Sequence, residues 1–431
     1  MPRRPLAVPG WIILSVGLGT AVLVALSAWP LTTWAYGDWV ALSATTRESL
    51  VYAGPWAAGW CAWTAGRYLG PRSLLCSPAA SSSGTPVVRA HLAWLCGAAV
   101  TGHVLGLLPV IVSTAGRATA GGLDWLVALG STGVLLTFCA LGYLTGCVIP
   151  RVASVIAAVV ITFVLILFVD TWGLALAPLW LSTPAAGQQE APVVAAFRAV
   201  FYLGFAVILA ITAGRWVADR ATVRGPATYA TLTLLMLPVL VGATARNAAP
   251  PALRAESNPS AVCTEVQGVS VCLHRAKAAL LSPLADDVNA ILSTVDGKPA
   301  VPLTHIVDAS LRPAPEPGLV SLELQTEQSD WQDWAAGDVA GYLTGRPACS
   351  PQGDLTGGDV DTGQGRTAVS LAFATWIART AGFNPPQLAA DQGVAPTPNN
   401  LDARSEREVA ALYHEHSTEL ATCTLTPDAL G

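Results

Sequence analysis

Apolar and polar positions divide this chain into two regions. Seven apolar blocks separated by short polar turns fill the first 245 residues, and a tail of ordinary polarity follows. A helix needs about 20 apolar residues to cross roughly 30 Å of hydrocarbon. The pattern therefore predicts spans over residues 10–29, 50–68, 91–113, 124–148, 152–178, 195–214 and 226–245. Asp170 interrupts the fifth, the segment most open to breaking or re-entering. Arg3 and Arg4 precede the first block, as in a signal peptide. No small-residue cleavage site follows it and six further blocks do, so it reads as a helix.

Beyond a linker at 246–260 the period shortens. Val262–Val266 and Val269–Leu273 read as two strands around Gln267-Gly268. Ser282-Pro283 predicts a helix start, with an apolar face of Leu284, Val288, Ile291, Leu292 and Val295. Strands are expected at 304–309 and 319–326. Ser329 with Gln332 predicts a capping box for a helix carrying Trp331, Trp334, Val339 and Tyr342. A Gly/Asp loop over 351–365 precedes a helix with Val369, Phe373, Trp376 and Ile377, which ends at Gly382. After a second loop at 383–402, Ser405 and Glu408 cap a last helix running to Cys423. The expected fold is an α-helical polytopic membrane domain of about seven transmembrane helices (1–245), followed by an α+β extracytoplasmic domain (261–431).

Composition agrees with a membrane protein. Apolar residues make up 52% and charged residues 12%, and mean hydropathy is +0.50; in soluble chains about a quarter of residues are charged. The net charge of −5 and the lack of a basic run argue against a nucleic-acid partner. Arginine placement sets the direction. With the N-terminus cytoplasmic, Arg3, Arg4, Arg67, Arg72, Arg89, Arg151, Arg215, Arg220 and Arg224 lie inside. Only Arg47, Arg117 and Arg198 then lie in outer loops. An odd number of spans puts the tail outside the cell membrane. Trp34, Tyr36, Trp39, Trp172 and Trp180 fall at the expected interfaces.

The cysteines divide in the same way. Cys61, Cys76, Cys96, Cys139 and Cys147 lie in or beside spans, whereas Cys263, Cys272, Cys349 and Cys423 lie in the tail. Four cysteines allow three pairings. A two-residue turn at Gln267-Gly268 would put Cys263 opposite Cys272 in a non-hydrogen-bonded pair, with Cα atoms about 4.5 Å apart. The remaining pair is Cys349 with Cys423. Disulfides persist in oxidising compartments, which agrees with an external tail.

Catalytic and metal motifs are scarce. There is no GxxxxGK[ST] and no GxSxG. Tyr413-His414-Glu415-His416 lacks the HExxH spacing, and two histidines two apart on a helix diverge by about 200°. His416 falls in register with Val409, Leu412, Leu420 and Cys423, so it reads as a hydrogen-bonded, partly buried side chain. Asp359, Asp361 and Gly363 lack the twelfth-position glutamate of a calcium loop, since Ser370 stands there. Within the spans, His103 is the polar candidate. It reads either as a relay or substrate contact or as a neutral imidazole bonding a neighbouring helix. His91 and Asp170 lie near predicted interfaces. The few intramembrane carboxylates and the lack of an internal repeat count against a secondary transporter. No catalytic residue, cofactor or metal ligand emerges.

Val271-Cys272-Leu273-His274 after the first hairpin, with the final helix Tyr413-His414-Glu415-His416 ending at Cys423, resembles an actinobacterial group of multi-pass proteins with an uncharacterised extracytoplasmic C-terminal domain. That group is similar to the membrane components of ABC-2-type exporters. The resemblance implies a permease-like subunit of an export system working with a separate ABC ATPase, and it supplies no catalytic residues. The bilayer is one partner; the ATPase and a second copy of the chain, as a homodimer, are further candidates. Two departures bear on ATPase docking. Only about nine residues precede the first span, too few for the usual amphipathic helix, and within 68–90 only Arg72–Cys76 offers a short coupling segment. The alternative is a membrane-anchored ectodomain that binds a cell-surface or protein partner without transport. An ectoenzyme ranks third.

Overall fold

The computed structural model describes residues 8–69, 84–149, 151–167, 186–218, 253–257, 259–314, 316–324, 329–349, 360–385, 401 and 403–427. The chain divides into two compact units, Met1–Thr32 with Gly37–Glu256 and Thr33–Tyr36 with Ser257–Gly431.

The first unit is a helical bundle of α1 (Gly10–Ala28), α2 (Trp39–Glu48), α3 (Leu50–Tyr68), α4 (Gly84–Arg117), α5 (Trp125–Val148), α6 (Arg151–Leu167) and α7 (Pro192–Ala218). A small antiparallel pair, β1 (Gln188–Glu190) with β2 (Leu253–Ala255), completes the unit. Among the described residues, four helices are long and apolar enough to cross a membrane: Gly10–Thr32, Thr85–Arg117, Trp125–Val148 and Pro192–Ala218. They match the first, third, fourth and sixth apolar blocks. The second block forms α3, but three tryptophans and three glycines keep its hydropathy lower. Packing explains the difference. Most of α3 is buried in the bundle, including Ala57, Ala58, Cys61, Ala62 and Ala65, so it needs little lipid-facing surface. The fifth block is helical through Leu167; its remainder with Asp170, and all of the seventh block, lie outside the described residues.

Glycines set the closest approaches. Gly142 and Gly146 of α5 lie against the carbonyls of Ala58 and Ala62 on α3, leaving no room for a Cβ. Gly102 and Gly106 of α4 meet the Gly17 and Ala21 carbonyls of α1 in the same way. Glycines four apart let helix backbones touch, the usual small-residue interface of membrane helices. Away from these contacts Leu14, Leu18, Leu26, Val112, Val152 and Val200 are well exposed. A wide apolar exterior of this kind suits lipid and is unfavourable in water.

In the second unit a mixed sheet runs in the order β3 (Ala261–Val266), β4 (Val269–His274), β5 (His305–Asp308) and β6 (Leu319–Leu322). The β3–β4 pair is antiparallel; β4–β5 and β5–β6 are parallel. Its helices are α8 (Leu281–Thr294), α9 (Trp331–Leu343), α10 (Arg346–Cys349), α11 (Val360–Thr380), α12 (Glu406–Glu415) and α13 (Ser417–Ala421). Val271, Leu273, Ile306 and Leu322 from the sheet share one core with Leu284, Val288, Ile291, Val339, Phe373 and Ile377 from the helices.

Helix ends depart from the expected signals in four places, one of them the start of α11 at Val360, inside the expected 351–365 loop. A 3₁₀ turn over Arg275–Leu280 leads directly into α8, so Ser282 is not its cap and Pro283 lies within the first turn. That position tolerates proline because its N–H has no intrahelical partner. Asp330, not Ser329, precedes α9, and Gln332 is drawn to the Asp287 carboxylate at 2.9 and 3.1 Å instead of closing a box. The last helix breaks at His416 instead of running to Cys423. The Ser405–Glu408 capping box is present.

Candidate functional site

The main polar feature of the bundle joins residues that sequence pattern assigns to unrelated loops. Asp38 starts α2 by accepting the Val40 and Ala41 N–H groups, and the last turn of that helix carries Arg47. Strand β1 ends on Glu190, and Arg198 follows in α7. Glu190 accepts from Arg47 Nη1 at 2.8 Å and from Arg198 Nη1 at 3.0 Å, one carboxylate oxygen to each. All three residues are at most 6% exposed. Burial, and after it the charge of Arg198, depress the Arg47 pKa to about 10, while Glu190 acts in the opposite sense. Arg47 thus remains charged at neutral pH. Beside the triad, Ser131 and Tyr202 help line a small space of about 10 Å³. That is room for one water, not for a solute. Thr46 Oγ1 and Ser131 Oγ, 3.0 Å apart, tie α2 to α5 at the same place.

His103 is only 4% exposed within α4. Its Nδ1 has no hydrogen-bond partner among the described residues, so the interhelical bond expected of a structural imidazole is not made there. His91 makes one instead. Its Nδ1 lies 2.9 Å from the Tyr143 hydroxyl on α5, and its ring meets Tyr68 and Tyr143 edge-on. Cys61, Cys139 and Cys147 are buried thiols outside any disulfide, and Cys96 is a partly buried one.

The second unit contains two disulfides. Cys263 is bonded to Cys272 with Cα atoms 4.1 Å apart, and Cys349 to Cys423 with Cα atoms 5.1 Å apart. Next to the hairpin, Lys277 Nζ donates to Asp308 Oδ1 at 3.0 Å, largely out of water. Asp308 also accepts the backbone N–H groups of His274 and Ser310. These contacts hold the strand ends; they set no nucleophile beside a base. Tyr413 is the buried member of the final motif. Its hydroxyl accepts from Ala300 N at 2.8 Å and donates to the Leu343 carbonyl at 2.9 Å. Burial pushes its pKa up to about 12, so it remains a donor at all ordinary pH values. His416 is partly buried and bonds Glu419 at 2.6 Å, whereas His414 faces Asp296 at 3.8 Å. The two rings serve different partners. Asp359 and Cys76 lie outside the described residues.

No family model, curated protein or solved structure matches the chain.

Proposed function

We propose that this chain is a multi-pass protein of the cell membrane that displays a disulfide-stapled binding domain on the extracytoplasmic side. The distribution of cysteine states carries this reading. Both disulfides lie in the second unit, and the thiols outside any disulfide among the described residues lie in helices of the bundle. Thiols in an apolar interior stay reduced as small hydrophobes, while bonded pairs persist in oxidising compartments. The seven predicted spans, with a cytoplasmic N-terminus, put the second unit on that side.

Labelling tests the reading. Lys298→Cys adds a thiol at an exposed position. An impermeant maleimide should label it in intact cells. Labelling only after the membrane is opened would refute the placement.

A second reading, the permease-like membrane subunit of an ABC-type exporter with a separate ATPase, is favoured by the Arg47–Glu190–Arg198 triad. Buried charge in a membrane bundle is costly and often marks a moving or conducting part. Stoichiometric co-purification of a nucleotide-binding subunit in mild detergent would support it. Recovery without one would leave the binding domain as the working part.

A further inference from the structure

Strand β3 forms one end of the second unit's sheet. Its turn, Gln267-Gly268, has φ of 49° and 81°, the left-handed pair of a two-residue hairpin. Register is thereby fixed: Val266 lies opposite Val269, Thr264 opposite Val271 and Val262 opposite Leu273. The bond from Arg275 N to Ser260 O falls in the same alternation. In an antiparallel pair every second residue bonds its neighbour and the others point away. Ala261, Cys263 and Glu265 therefore direct their N–H and C=O groups off the sheet. Among the described residues no strand takes them up. An open edge of this length, without proline or lysine, is what proteins usually cover.

The edge borders a groove of about 500 Å³ between β3 and α8. Val266, Leu281 and Ala285 give it apolar lining and Asp286 an acidic group; Glu265, its other charged lining residue, alternates with Thr264 and Val266 and so directs its carboxylate to the opposite face of the sheet. Its walls are fixed to one another. Gln267 Nε2 donates to Asn289 Oδ1 at 2.8 Å and to Ser293 Oγ at 3.0 Å, clipping the turn to α8. The Cys263–Cys272 disulfide locks β3 to β4.

We infer that this groove binds an extended polypeptide segment, which adds a strand beside β3, turns apolar side chains toward Val266, Leu281 and Ala285, and sets lysine or arginine side chains on its other face against Glu265. Main-chain bonds supply affinity in this mode, and alternate side chains supply selection. At about 3.3 Å per residue the open edge takes a segment of five or six residues. Acidic segments are disfavoured by like charge. The inference rests on the extracytoplasmic binding reading and gives its partner a chemistry.

The test uses the full chain in nanodiscs of zwitterionic lipid, titrated with a labelled, end-blocked hexapeptide of alternating valine and lysine. Saturable binding is expected below about 1 mM. It should weaken by about tenfold or more for the glutamate counterpart, and likewise for a peptide N-methylated at alternate amides. Glu265→Pro removes an outward N–H that β4 does not use and should weaken binding similarly. Glu265→Gln separates the charge from that donor. Should Glu265→Pro fail to fold, the N-methylated peptide asks the same question of the unaltered chain. No saturable binding, or equal binding of the N-methylated peptide, overturns the inference. The Lys298→Cys labelling is independent of the peptide. External labelling without binding removes only the groove's role, and internal labelling removes the reading beneath it.

Discussion

Replacing Glu190 tests whether the triad holds the bundle together. Its carboxylate accepts from two arginines, and each of the three groups is nearly excluded from water. Glu190→Ala removes the acceptor that two buried guanidinium groups share, leaving Arg47 only the smaller opposing field of Glu48. Breaking a buried pair in this way costs about 3–5 kcal/mol. Glu190→Gln keeps one carbonyl acceptor and should fall between. Replacing all three by methionine or leucine removes the desolvation penalty with the attraction, and such exchanges are neutral or stabilising by about 1–4 kcal/mol. Thermal unfolding of the full chain in detergent, followed by tryptophan fluorescence, should therefore order the midpoints. Glu190→Ala lies lowest, Glu190→Gln next, then the wild type, with the triple variant level with it or above. Salt gives a second check. Raising it from about 0.1 to about 1 M shortens the screening length from about 10 to 3 Å, which weakens exposed pairs but should leave the Glu190→Ala deficit intact. A deficit under about 1 kcal/mol, the size of an exposed pair, would refute the reasoning.

In the second unit, Tyr413→Phe strands the Ala300 N–H and the Leu343 carbonyl and should cost about 1–3 kcal/mol in chemical denaturation of the domain. Cys349→Ser with Cys423→Ser opens a loop whose ends are 74 residues apart, which the chain-entropy relation puts at about 4 kcal/mol. The same relation gives about 3 kcal/mol for the nine-residue separation of Cys263 and Cys272, so mild reduction should show the larger loss at the longer loop. In the bundle, Gly142→Val drives a side chain into the Ala58 carbonyl and should cost about 3 kcal/mol, read as a lower midpoint in detergent. For Asp287, burial raises the pKa first, with help from Asp286 and Asp333 and against the pull of Gln332. A carboxyl raised by folding destabilises when ionised, so stability should increase as pH falls through its folded pKa. Asp287→Asn should raise the midpoint at pH 7 and remove that gain.

Much of the architecture is legible along the chain because it depends on local period. Alternation through Val269, Val271 and Leu273 fixes β4's buried face. The two-residue turn fixes its register with β3, and register alone brings Cys263 opposite Cys272. The spacing of Leu284, Val288, Ile291 and Leu292 fixes α8's buried stripe in the same way. Local signals fail where a distant group offers a better partner. Gln332 has the spacing of a capping box but meets a buried carboxylate from α8. His416 is half-buried and bonds Glu419 as its register suggests, but the stripe gives no sign of Tyr413, whose hydroxyl joins the distant Ala300 N–H and Leu343 carbonyl. The triad is the extreme case. Arg47 and Glu190 are 143 residues apart, and in sequence each is an ordinary loop charge; only folding removes them from water together. A positive-inside count treats Arg47 and Arg198 as free outer charges, yet Glu190 offsets one of their two positive charges. The open edge of β3 is hidden for the opposite reason. Its residues look like any half-buried strand, and only the sheet order shows that nothing among the described residues lies beyond them.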